Sequence, residues 1–204
     1  RLFYLLILGA VYLGLVAYIP SMWLSIKDKL WSIAFIDTIA YLFVLLISFS
    51  RKMPLKIKII LLVSTFYILG LLLLLILGPI GAGFNWLFMF PLLSALLLNF
   101  QSVIKSLLLT LISLIIFSFF FLIPNDLPLG IKNYSLDTWL VNSVNFWILD
   151  CIAAVSISGL ISKINNSLKK EKEMLTTLQE KQEKIQIEKQ KAEESDKLKS
   201  IFLS

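Results

Sequence analysis

The sequence predicts an all-α membrane protein with six transmembrane helices followed by a cytoplasmic coiled-coil helix. Three observations carry that prediction. Of the 204 residues, 58% are hydrophobic and only 16% are charged, where a soluble domain has about a quarter of its residues charged. The apolar residues come in long unbroken runs, the mark of bilayer spans. Beyond Ser162 the character reverses, and that stretch holds most of the acidic residues.

The predicted spans are 2–19, ending at Pro20; 31–50; 59–77, stopping at Gly78-Pro79; 84–100; 103–123, stopping at Pro124; and 138–161. Each is near the ~20 residues that cross a hydrocarbon core ~30 Å thick. The fourth is the shortest. The chain begins at Arg1 and is apolar from Leu2, so we expect the true N-terminus to lie upstream. The first span is too long for a cleaved signal peptide and lacks a small-residue cleavage site before Pro20.

Lys and Arg in short loops set the orientation. Arg1, Arg51, Lys52, Lys56, Lys58, Lys105, Lys163, Lys169 and Lys170 fall on one side, and Lys27, Lys29 and Lys132 on the other. This bias places both termini in the cytoplasm, as an even number of spans requires. Trp23, Trp31, Trp86 and Trp139 are then expected at the outer interface as an aromatic belt. The longest outer loop, 124–137, has 14 residues and contains Pro124, Pro128 and Gly130. That is too little for a folded extracellular domain. Any input must reach the helices themselves or their outer rim, which favours a lipophilic molecule, a small ligand in a cleft, a membrane partner or the state of the bilayer.

The net charge of +6 does not point to nucleic acid, because the cations lie in loops or alternate with Glu in the tail and form no basic stripe. Cys151 is the one cysteine and histidine is absent, which excludes an intrachain disulfide and the commonest general base.

From Ile161 a heptad-like pattern begins. One seam reads Ile161, Leu168, Leu175 and Gln182, and the other reads Ile164, Leu178, Ile185 and Ala192, with Glu171 interrupting it. Apolar residues at this spacing form a narrow stripe for a partner helix. Nothing after Gly159 is Gly or Pro, so one helix of about 60 Å at 1.5 Å per residue is expected. Register weakens where Lys189 and Asp196 take seam positions, and Leu198, Ile201 and Phe202 resume out of phase. A solvated charged helix with no partner is the plainer alternative.

The segment from Ala192 through Glu193, Glu194, Ser195, Asp196, Lys197, Leu198, Lys199, Ser200, Ile201, Phe202 and Leu203 to Ser204 resembles the start of the dimerisation and phosphotransfer helix of bacterial sensor histidine kinases. The helices before it resemble the multi-span modules that precede such kinases, some of them hybrid, with Gly78-Pro79-Ile80-Gly81-Ala82-Gly83, Pro91 and Ala95 similar to a recurring turn. The resemblance divides the chain into a sensor module (1–162), a signalling coiled coil (163–194) and the start of the phosphotransfer helix (195–204). It implies a homodimer in the bacterial cytoplasmic membrane. It also implies an ATP- and Mg-dependent kinase beyond Ser204, whose phospho-accepting histidine is expected a few residues further on, and a receiver domain as partner. None of those catalytic residues lies in this sequence. A diguanylate cyclase or chemoreceptor output behind the same linker, and a transporter, are the alternatives. A transporter is expected to show internal repeats, and none is evident.

Ionisable groups inside a bilayer are costly and mark candidate sites. Asp37 falls within the second span and Asp150 within the sixth. Asn142 and Asp150 are expected to share a face with Phe146, and Asn145 to lie on the other side of Asn142. Tyr41 and Trp86 complete the candidate ligand contacts, with Asn85, Asn125 and Asp126 at a possible mouth. Buried Asn and Asp also simply bond neighbouring helices, Tyr41 and the Phe residues also serve packing, and Cys151 is expected to be a small buried residue. Asp137 is expected to cap the sixth span.

Overall fold

The computed structural model describes residues 2–50, 52–79, 81–120 and 134–202, with side chains described for 7–50, 52–79, 81–120 and 134–189. Six helices follow one another: α1 (Leu2–Lys27), α2 (Trp31–Phe49), α3 (Leu55–Leu77), α4 (Gly83–Leu97), α5 (Phe100–Phe120) and α6 (Leu136–Phe202). No strand occurs among the described residues. Five of the helices, all but α4, are long and apolar enough to cross a membrane. The chain is a helical membrane protein. Contacts divide it into two units, Arg1–Ser158 and Gly159–Ser204.

In the first unit α1 packs on α2, α2 on α3, α3 on α4 and α4 on α5. The α3–α4 crossing brings backbones together at two glycines. A Cβ on Gly83 would lie 2.6 Å from the Leu74 nitrogen, and one on Gly70 would lie 2.8 Å from the Leu87 nitrogen. Such close approach between helices needs small residues. Gly78 ends α3 at φ 70°, where its N–H bonds the Leu74 carbonyl; a side chain there would be strained. Beneath this turn Leu74, Leu87, Leu114, Phe117 and Trp139 form one core cluster, so α3, α4, α5 and α6 meet around it. A second cluster of Ile7, Val44, Ile47 and Leu62 joins α1, α2 and α3.

Several boundaries differ from expectation. α1 does not stop at Pro20 but continues to Lys27. Proline removes one N–H from the helix ladder, and membrane helices tolerate this where neighbouring groups compensate. α4 ends at Leu97 rather than residue 100, because Asn99 caps α5. Its Oδ1 accepts the Ser102 N–H at 3.0 Å and the Ser102 hydroxyl at 2.7 Å, the geometry of an N-cap. Lys105, counted with the loop cations although the predicted span began at residue 103, lies within α5. The cap of α6 is Ser135, not Asp137. The Ser135 Oγ accepts the Thr138 N–H at 3.2 Å, which leaves Asp137 in the first turn, where its charge still suits the helix dipole.

The aromatic belt also needs correction. Trp23 and Trp31 face outward, 68% and 64% exposed, but Trp139 is 0% exposed. Its ring lies between Phe84 and Phe117, with centroids 5.8 and 5.9 Å away. Its indole N–H donates to the Ser118 Oγ at 2.9 Å, and a buried indole requires such an acceptor. Trp86 is half-buried, 5.4 Å from the Phe66 ring. The expected outer loop lies outside the described residues from 124 to 133, and so do Asn125, Asp126 and Lys132.

The described part of the second unit is helical throughout, the continuation of α6. Ile164, Leu168, Leu175, Leu178 and Ile185 are all exposed in the single chain, and Ile161 is half-buried. The side chains of Ala192, Leu198, Ile201 and Phe202 lie outside the described residues.

Candidate functional site

On α1, Ala10, Gly14, Ala17 and Ser21 recur at intervals of four, three and four residues, so they share one helix face. Small side chains there leave room, and a cavity of about 270 Å³ opens between α1, α2, α3 and the start of α4. Asp37, Tyr41 and Trp86, three of the candidates chosen from sequence, all line it. From Ile33 to Val44 on α2 the lining runs for about 16 Å at 1.5 Å per residue. Leu69, Leu73 and Leu77 of α3 make much of the opposite wall, with Phe66 and Thr65 at its deeper end.

The polar groups of this cavity are tied together across helices. The Ser21 hydroxyl on α1 donates to the Asp37 Oδ2 on α2 at 2.5 Å. Tyr18 stacks on Tyr41, with ring centroids 5.2 Å apart and planes inclined by 14°. Tyr41 lies against Gly14, where an added Cβ would stand 3.5 Å from the ring, and its hydroxyl donates to the Val11 carbonyl at 3.3 Å. The Tyr18 hydroxyl lies 2.9 Å from the Thr38 Oγ1.

The other three candidates lie on α6, and none of them lines this cavity. Asp150 is 0% exposed, and neither carboxyl oxygen has a hydrogen-bond partner among the described residues. Ser143, two turns earlier on the same face, likewise has an unpartnered Oγ. Ala154, one turn later on that face, packs with Ala95, Val103 and Leu107 of α4 and α5. Asn142 is half-buried, and Phe146 packs on Phe84 with centroids 4.8 Å apart. Asn145 is exposed, so it does not join that face. Asn85 is exposed and lies outside the cavity wall. Cys151 is partly buried beside Ala154.

The family model of MASE11 matches residues 1–164. The chain belongs to the MASE11 family. MASE11 domains are membrane-associated sensor domains, and this one covers all of the first unit and the beginning of the second. No curated protein and no solved structure matches the chain.

Within this MASE11 domain, sequence reasoning missed Tyr18, Ser21 and Thr38. Each is unremarkable alone, and each matters only because a second helix supplies its partner. The interval of small residues from Ala10 to Ser21 was the available signal, since it marks the α1 face that meets α2. Ser143 was missed for a different reason: serine in a membrane helix normally bonds its own backbone, as Ser94 does to the Phe90 carbonyl at 2.9 Å.

Proposed function

We propose that this MASE11 domain is the transmembrane input module of a dimeric signalling protein, and that the output is a two-component histidine kinase. The observation that carries the reading is α6. It is a single helix from Leu136 to Phe202 that holds Asp150 among its membrane residues and ends in the kinase-like segment. The apolar seam residues Ile164, Leu168, Leu175, Leu178 and Ile185 are exposed to solvent among the described residues, and apolar stripes at that spacing are covered by a second helix. A parallel homodimer meets this need.

In this reading all six helices contribute spans, α4 as a short one. Both termini lie on the cytoplasmic face of a bacterial inner membrane. The signal is a small ligand, a lipophilic molecule or the state of the bilayer. It acts by binding or favouring one of two packings of α6 more strongly than the other, since equal affinity shifts nothing. ATP and Mg belong to the kinase domain, and a response-regulator receiver domain accepts the phosphoryl group.

The test uses the whole native protein in membranes. Labelled ATP should label a histidine, and inserting two glycines after Ser162 should leave basal labelling but abolish its dependence on signal. A protein that never labels removes the kinase and leaves a cyclase or chemoreceptor output. Signal-dependent labelling that survives the glycines removes the helical relay.

A further inference from the structure

We propose that the cavity between α1, α2 and α3 binds a protonated amine carried on an apolar body. The inference deepens the sensor reading, which supplies the reason for a ligand, and it rests on which polar atoms of the cavity remain free.

A hydroxyl has one proton to give. The Thr65 hydroxyl gives its proton to the Leu61 carbonyl at 2.8 Å. The Tyr41 hydroxyl gives its own to the Val11 carbonyl, and the Ser21 hydroxyl to Asp37. Thr38 donates to the Ala34 carbonyl at 2.6 Å, so in the Tyr18–Thr38 pair Tyr18 must be the donor. Among the described residues, every hydroxyl on the cavity wall has therefore spent its proton within the protein. Lone pairs remain on those oxygens, and the Asp37 Oδ1 accepts no bond from any described residue. Apart from the indole N–H of Trp86, the described side chains of the wall offer acceptors only. A ligand must bring the donors.

Charge and shape narrow the class further. Asp37 is the one carboxylic acid among the described residues of the wall, and an ammonium satisfies a carboxylate with a charge-assisted bond, stronger than a neutral one. Tyr18, Tyr41 and Trp86 line the same cavity, and aromatic rings attract cations. Apart from Gly14, Ser21 and Thr65, whose hydroxyl is turned back to its own helix, the remaining described wall is Ala, Val, Ile, Leu and Phe, and it continues from Asp37 to Val44 for about 10 Å along α2. A polar head at Asp37 with an apolar chain reaching deeper fits both ends. A carboxylate head would meet like charge, and an alcohol would lose the ionic part.

The test places the whole native protein in phosphatidylcholine nanodiscs and titrates decylamine by calorimetry, with decanol and decanoic acid as matched probes and empty discs as reference. Decylamine should bind saturably and more tightly than either control. Asp37→Asn should weaken it on the order of ten- to hundredfold while leaving decanol unchanged. Ala17→Phe, which fills the cavity, should block it. Retained decanol binding in Asp37→Asn guards against misfolding as the explanation, because a collapsed cavity would lose both probes. Equal binding of the three probes, unchanged decylamine affinity in Asp37→Asn, or no binding above empty discs would overturn the proposal. Signalling output is read separately in the same samples. Asp37-dependent binding without any change in output would sink the sensor reading and leave the amine site standing.

Discussion

Asp37 and Asp150 are both carboxylic acids on membrane helices, yet their surroundings differ in kind. Asp37 has a hydroxyl partner on the neighbouring helix and faces a cavity walled by small and aromatic side chains. Asp150 has no partner among the described residues and is enclosed where α6 packs against α4 and α5. The first arrangement is that of a group that can meet a ligand. The second resembles a stress point in packing, since an unpartnered buried polar group costs free energy that other contacts must offset. The lesson is that two acids equally conspicuous in sequence divide into a receptive region, α1–α3, and a packed one, α4–α6. The α3–α4 crossing forms the wall between them.

The largest effect should come at that wall. Gly83→Leu drives a side chain into the Leu74 backbone and should cost about 3 kcal/mol or abolish folding. Gly14→Ala, on the cavity side at ordinary contact distance, should lie within about 1 kcal/mol of the unaltered protein. Reversible unfolding in mixed micelles measures both, and equal losses would erase the contrast between the regions. Next come the acids themselves. Asp150→Leu should raise stability by about 1–3 kcal/mol, because it removes an unpaired buried polar group. Asp37→Leu should lower it by about 1 kcal/mol, since Ser21 loses its acceptor. A destabilised Asp150→Leu would mean that Asp150 has a partner in the native assembly. Trp139→Phe should cost about 1 kcal/mol through loss of the Ser118 bond, and Ser118→Ala combined with it should add little. The smallest contrast is at the start of α6. Ser135→Ala should cost about 1 kcal/mol and Asp137→Ala about half that; the reverse order would restore Asp137 as the cap.

Helix type and membrane character were legible because they depend on runs of residues, and hydropathy reports runs well. Helix ends were less so. Pro20 reads as a stop by local rules, but α1 continues through it. The α4–α5 break is set by Asn99, whose capping role shows only when its Oδ1 meets Ser102. Tryptophan placement failed at Trp139 because belt logic uses depth alone, whereas Ser118 and two Phe rings make that depth an interior. At the candidate site, Asp37, Tyr41 and Trp86 could be chosen one by one from residue type and depth. Their separation from Asn142, Asn145 and Asp150 could not, because it depends on which helices are neighbours, and no pattern along a single chain encodes that directly.

The brevity of α4 has a consequence for the lipid around the protein. Its 15 residues span ~22 Å and the 23 residues of α3 span ~34 Å, against a hydrocarbon core of ~30 Å. Gly83 lies against Leu74, so α4 begins almost a turn below the end of α3. At its other end Leu97 reaches only the level of Ile59 and Val63, short of where α3 starts. The peptide groups at the start of α4 therefore lie at a level where α3 is still apolar, and those at its end lie level with the turn of α3 that carries the buried Lys58. Their bonds are closed locally, by Gly81 to Gly78 at 3.2 Å and by Leu98 to Ser94 at 2.9 Å. In the six-span reading proposed above, acyl chains beside α4 meet a thinner apolar belt than those beside α3, a hydrophobic mismatch that costs a fraction of a kcal/mol per Å.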